Sequence, residues 1–404
     1  MHRFWIVILL ISVFLCAPRL YSYSILTHES IIDSVWDESL VKLLRQRFPG
    51  ATVEDLKKAR AFAYGGSIIQ DMGYYPFGSH FFTDLVHYVR SGDFVQAMLR
   101  DAKDINEYAF AMGALSHYVA DNTGHPDAIN RAVPLLYPKL RRKFGNEVTY
   151  ANDPASHLKT EFGFDVLQVA KGGYVSDAYH DFIGFEVSKP VLERAFQETY
   201  GLELEDVFIS LDLAIGSYRR TVSSTIPAMT KVAWESKKDE IEKTNPGITR
   251  EKFLYGLSRS AYEKEWGKDY RRPGPGTRLL AFVIRVMPKV GPFRALSFRT
   301  PTPETDKLFT ESVNGTIRRY RELLAAEASR RPQFPNENLD IGKPVSYGTY
   351  SWSDKTYERL VDKLARRHFD RMPPELRDDI LAFYGDRRLL DPKIREQLAS
   401  LSSN

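Results

Sequence analysis

The sequence predicts an all-α fold, and three observations carry that expectation. Apolar residues recur at three- and four-residue spacing along much of the chain, as in Ile31, Ile32 and Val35, or Ala111, Ala114, Leu115 and Val119. Helix-start signals precede several such stretches; the clearest is Asn152-Asp153-Pro154, a capping residue with proline at the first helical position. No set of alternating apolar and polar runs marks a sheet, and no internal repeat is visible.

The 404 residues suffice for a large core in one large or two ordinary domains. A composition of 43% hydrophobic and 27% charged residues is that of a globular chain. The net charge of +4 is small for this length and gives no electrostatic argument for a nucleic-acid or membrane partner.

Residues 1–22 stand apart from the fold. His2 and Arg3 precede an apolar run from Phe4 to Ala17, then Pro18, Arg19 and Leu20-Tyr21-Ser22. A basic start, a short apolar run and a small residue before a cut site read as an export signal. The run is short for a membrane-spanning helix, so a secreted or periplasmic protein is expected, with an uncleaved anchor as the alternative. Cys16 is the only cysteine and falls within this segment. The mature chain therefore has no disulfide, and a metal site would draw on His, Asp, Glu or the chain terminus.

In chain order, Thr27 is expected to cap a first helix and Val53-Glu-Asp-Leu to open another. Ala61 to Phe82, rich in Gly and Tyr, reads as a loop or a helix end. Helices follow from Asp84, from Gly92-Asp93, and from Ile105 to Ala120, with a bend at Pro126. Val133–Phe144, the helix after Pro154, Ser188–Tyr200, Leu204–Ser223 and Ile226–Glu242 continue the pattern. A composition shift near residue 240 divides a helical domain, 23–240, from a C-terminal helical extension, 241–404. Within the extension, Thr277–Met287 reads as a buried apolar helix. Thr302 opens a long helix to about Arg331, residues 332–350 read as a linker, and three further helices close the chain.

The chemistry concentrates in Gly113-Ala-Leu-Ser-His117-Tyr-Val-Ala-Asp121-Asn-Thr-Gly-His125-Pro126. On a helix, residues four apart share a face, so His117, Asp121 and His125 form one polar stripe in apolar surroundings. Such a stripe is costly to bury without hydrogen bonds or a metal. Six of the chain's nine histidines lie between His28 and His157. With nearby carboxylates they give the candidate ligands His28, Asp71, His87, His117, Asp121, His125, His157 and Glu161. Zinc usually takes four ligands, so eight point to a cluster of two or three ions.

In this order the sequence resembles the zinc-dependent phospholipase C family, which shares its site with fungal single-strand-specific zinc nucleases. The family order is a free N-terminus, His, Asp, His, a His-x-x-x-Asp…His group and His-x-x-x-Glu. Here it is matched by Leu-Thr-His28-Glu-Ser, Asp71, His87, His117-x-x-x-Asp121…His125 and His157-x-x-x-Glu161, over roughly residues 23–165. The resemblance implies a multi-helix bundle of that type, with additional C-terminal helices, and three zinc ions. Asp71, His87, His117 and Asp121 would hold the first ion, and His125, His157 and Glu161 the second. The third would take His28, Asp121 as a bridge, and the amino nitrogen and carbonyl oxygen of the mature first residue. Counting back five from His28 gives Tyr23, directly after the expected cut. Tyr stands where the family usually has Trp, and His125 follows Asp121 by four residues rather than six. His80 is too near Asp71 for the family spacing and reads as a rim residue; His180 and His368 read as structural or surface residues.

The activity implied is phospholipase C-type hydrolysis of a phospholipid, or another phosphodiester, by water activated on zinc, with Asp71 orienting that water. Contact with a membrane surface would be transient, and no protein partner is implied. The alternatives are a single-strand nuclease of the same superfamily and a metal-stabilised helical protein without catalysis. Tyr74-Tyr75-Pro76-Phe77 reads equally as a wall of a substrate pocket or as packing around the site.

Overall fold

The computed structural model describes residues 25–170, 185–222, 226–244, 297–329, 334–385 and 390–403. Among them every regular element is helical, apart from one isolated antiparallel bridge between Asn338 and Lys343, so the fold is all-α as expected. The helices are α1 (Ile25–Val35), α2 (Val41–Arg47), α3 (Val53–Gly66), α4 (His80–Tyr88), α5 (Ser91–Asp101), α6 (Ile105–Gly124), α7 (Asn130–Leu136) and α8 (Pro138–Phe144). They continue as α9 (Pro154–Ala170), α10 (Lys189–Tyr200), α11 (Leu211–Arg220), α12 (Ile226–Thr244), α13 (Pro303–Ala328), α14 (Ser351–Ala365), α15 (Pro374–Tyr384) and α16 (Pro392–Ser403).

Helix α6 is the axis. It is buried on all sides from Glu107 to Gly124, because Ala, Gly, Leu, Met and Val leave no polar outer face. Asp104 caps it by accepting from the Asn106 and Glu107 N–H groups. Helix α3 crosses α6 closely, and two glycines make this possible. A Cβ on Gly113 would fall 2.1 Å from the Ala63 carbonyl oxygen, and one on Gly66 2.0 Å from that of Phe110. The crossing brings Ser67, just past the C-terminal end of α3, against His117.

Helix α13 packs on both α1 and α6, and the Tyr320 hydroxyl donates to the Met112 carbonyl at 2.7 Å. Helix α14 packs on α4. Phe309, Tyr320, Tyr357, Leu360 and Phe383 belong to the same apolar core as α1, α3 and α6. The helices beyond residue 297 are thus built into the core that carries the candidate ligands.

Several local expectations are corrected. Thr27 does not cap α1, which already begins at Ile25; its hydroxyl donates instead to Asp165 Oδ1 at 3.0 Å. Between Ala61 and Phe82 most residues are helical: α3 runs to Gly66, a 3-10 segment spans Ile69–Tyr74, and α4 begins at His80. The chain does not leave the helix at Pro126 but passes through a widened π turn, His125–Ile129, into α7. A break at Tyr137 divides the single helix expected over Val133–Phe144, and only Leu211–Arg220 is α-helical in the second half of Leu204–Ser223. The export signal, Tyr23, His180 and Thr277–Met287 lie outside the described residues. No described helix is long and apolar enough to cross a membrane.

Candidate metal centre

Eight candidate ligands from six elements converge, and all are buried. His117 and Asp121 project from α6. His125 opens the π turn, His87 lies in the last turn of α4, Asp71 sits in the 3-10 segment, His28 lies on α1, and His157 and Glu161 lie one turn apart on α9.

The rings are held so that one nitrogen faces inward. His117 Nδ1 lies 3.0 Å from the Ser67 carbonyl, delivered by the α3–α6 crossing. His87 Nδ1 lies 2.9 Å from the Thr83 carbonyl, and His157 Nε2 meets the Val148 carbonyl. A carbonyl only accepts, so each of these nitrogens carries a proton, and the opposite nitrogen is the one turned toward the carboxylates and neighbouring rings. Pinning an imidazole through its far N–H is how ligating histidines are usually oriented.

The inward atoms crowd together. His117 Nε2 is 3.2 Å from Asp121 Oδ2 and 3.4 Å from His87 Nε2. His87 Nε2 is 3.4 Å from Asp121 Oδ2 and 3.5 Å from Asp71 Oδ1. His28 Nε2 lies 3.8 Å from Asp121 Oδ1, and its ring stacks on His117 with centroids 4.6 Å apart. On the other side, His157 Nδ1 is 3.7 Å from Glu161 Oε1, and the His125 and His157 rings stack at 6.0 Å. Three groups result, each with ligand atoms within 4.8 Å of one another: His28, His117 and Asp121; Asp71, His87 and His117; His125, His157 and Glu161. His117 stands in two of the groups, whereas the sequence assigned it to one.

Burial acts strongly on these groups. Burial pushes the Asp71 carboxyl well above the usual range, and Asp121 and Glu161 push it further. Burial does the same to Glu161, helped by Asp121. Burial lowers His28, with His117 adding to it, and lowers His157 to about 3. Asp121 goes the other way: burial would raise it, but His117 and the other rings hold it well below the ordinary carboxylate value. Asp71 Oδ1, His125 Nδ1, His157 Nδ1 and both Glu161 oxygens have no hydrogen-bond partner. Buried polar atoms are rarely left so. Divalent cations would take up these lone pairs, and the nitrogen and oxygen donor set suits zinc.

The aromatic loop is buried at one end and exposed at the other. Tyr74 and Tyr75 are buried, whereas Phe77 is 62% exposed at a positive φ of 63°. Tyr74 packs with Tyr150 and Trp352 in a small cluster apart from the main core, and Tyr150 meets the His157 ring edge-on at 5.9 Å. His80 and His368 are exposed, as expected.

Two carboxylates escaped the sequence analysis. Asp165, one turn beyond Glu161, accepts from the Leu26 N–H at 3.1 Å and from Thr27, fixing the start of α1 and so His28. A stripe at 157, 161 and 165 was available as a signal. Asp340 is buried close enough for its charge to act on Asp71, His87 and Glu161. Nothing in the stretch read as a linker singled it out.

No curated protein and no solved structure matches the chain. Residues 27–209 match the model of a family described as zinc dependent phospholipase C. That span contains all eight described candidate ligands, in the order and burial just given, and over it the chain is similar to the zinc-dependent phospholipase C family.

Proposed function

We propose that the chain is an exported zinc-dependent phosphodiesterase that hydrolyses a phospholipid on the glycerol side of its phosphate. The observation that carries this reading is the set of three mutually close, buried ligand groups within the family-matched residues. Asp71, His87, His117 and Asp121 would hold one ion, and His125, His157 and Glu161 a second. His28, Asp121 and the backbone of Tyr23 would hold a third. When bound, zinc in such a cluster supplies Lewis acidity to the phosphoryl oxygens and acidifies water near neutral pH.

The chain's own residues then have definite tasks. Asp121 shares its two oxygens between the His28 side and the His87 and His117 side. Asp71 Oδ1, without a hydrogen-bond partner, is the atom assigned to orient the attacking water and take its proton. Tyr74, Tyr150 and Trp352 form an apolar wall beside His157 that excludes water from one flank. Phe77, Ile209 and Leu213 are exposed apolar side chains, on and near elements that pack together, and suit transient contact with a membrane surface.

Incubating metal-loaded protein with phosphatidylcholine and, separately, with single-stranded DNA tests this. Release of phosphocholine supports it. Release of nucleotides alone moves the reading to a nuclease. Release of neither from a fully loaded protein favours a metal-stabilised, non-catalytic bundle.

A further inference from the structure

Residues 338–343 form a tight turn closed by the Asn338–Lys343 bridge, far outside the family-matched span. It grips two helix ends at once. On one side, the Leu339 N–H donates to the His87 carbonyl at 3.1 Å, satisfying an acceptor in the last turn of α4. The neighbouring Tyr88 hydroxyl donates to Asp340 Oδ2 at 2.9 Å, and the Tyr350 hydroxyl donates to the same oxygen. On the other side, Asn130 Nδ2 donates to the Asp340 carbonyl at 2.8 Å. Gly342, at a φ of 62°, lies so near the end of α6 that a Cβ would fall 2.5 Å from the Asn122 carbonyl oxygen and 3.1 Å from Pro126. Asn338 braces the turn, accepting from the Asp340 N–H at 3.0 Å and donating to Ser353 Oγ at 3.0 Å.

We propose that this turn is a strap and that Asp340 is a positioning residue of the metal centre, holding the His87 end of α4 in register with the His125 end of α6. His87 is tied to its own helix through Thr83, so wherever the end of α4 goes, Nε2 goes with it. The strap contacts sit at His87 and Tyr88 on one helix and at Asn122, Pro126 and Asn130 around His125 on the other. Outer groups that orient ligands in this way change metal affinity roughly 10–100-fold when removed. The Asp340 carboxylate also places negative charge beside the cluster, which bound cations would offset. The family's ligand set is thus supported in this chain by a segment that the family match does not include.

The proposal rests on the metal reading, and the test separates the two. Zinc is first counted in the purified wild-type protein; absence of bound metal overturns the metal reading itself. Asp340→Asn and Tyr350→Phe are then compared with wild type by chelator competition and by the visible spectrum of the cobalt-loaded protein. The expected result is a 10–100-fold loss of affinity in Asp340→Asn with an altered cobalt spectrum, and a smaller change of the same kind in Tyr350→Phe. Wild-type affinity and spectrum in folded variants, even with a lowered melting temperature, overturn it. If Asp340→Asn does not fold, Tyr350→Phe alone decides by the same two readouts.

Discussion

Two buried polar clusters lie close together along α1, and they are built on opposite principles. At Asp33, the Arg60 guanidinium donates at 2.7 Å to a carboxylate that also receives the Tyr64 hydroxyl. Arg60 Nε reaches the Tyr64 oxygen at 3.1 Å, and its charge lies over the Trp36 ring at 5.2 Å. Here charge meets opposite charge. Five residues earlier, His28 enters a group of imidazoles and carboxylates in which Asp71 Oδ1, His157 Nδ1 and both Glu161 oxygens have no hydrogen-bond partner. Burial alone therefore does not mark a functional site; an unbalanced inventory of donors and acceptors does.

The contrast can be broken most severely at Asp121. Asp121→Asn should reduce activity by more than about 10³-fold, the scale seen when one member of an interdependent set is lost. Metal content should fall with it, read by elemental analysis; full activity would contradict the assignment. Asp33→Asn should do the reverse. Removing the negative charge beside the buried Arg60 should cost about 3–5 kcal/mol in a denaturant titration, yet each folded chain should keep its full complement of metal. If metal were lost in step, the two clusters would not be separate.

Chelation should act on the cluster around His28 alone. Restoring zinc to about 100 times its dissociation constant should return about 2.7 kcal/mol of stability per site. A stability unaffected by chelation argues against a metal.

The pH dependence has a definite sign. Without metal, Asp71 and Glu161 hold protons above their unfolded values, so their contribution to stability is present at low pH and lost as pH rises through the raised values. His157, lowered from 6.5 to about 3, contributes stability that is lost as pH falls across that window. Metal entry must displace the protons on Asp71 and Glu161, so affinity should climb with pH and binding should release protons. Calorimetry in two buffers of different ionisation enthalpy measures this, and identical heats would count against it. The smallest effect belongs to His80→Ala, expected to change stability by less than about 0.5 kcal/mol and metal content not at all.

The candidate site was largely legible because its residues are chemically distinctive and come at helical spacings: 117 and 121 on α6 with 125 opening the π turn, and 157 and 161 on α9. Helix identity was legible from periodicity, and helix ends less so. Thr27 looked like a cap because its side chain is of the right kind, but the first turn of α1 is held by Asp165, 138 residues away. The π turn at His125 was hidden because Pro126 signals a break equally well when a helix merely widens. Asp340 was illegible for a stronger reason. Its partner Tyr88 lies 252 residues earlier, and an aspartate in a Gly- and Asn-containing turn looks the same whether it faces solvent or a buried site.

That distance also sets an order of assembly. The ligands on α6 and α9 close over loops of a few tens of residues, so they can gather as soon as the central helices form. The strap must close a loop of some 250 residues, later in synthesis and against a larger entropy cost, though one that grows by only about 0.6 kcal/mol per doubling of length. A chain that emerges N-terminus first therefore presents its histidines before the segment that braces them, and the mature spacing of the centre is reached only when its distant end arrives.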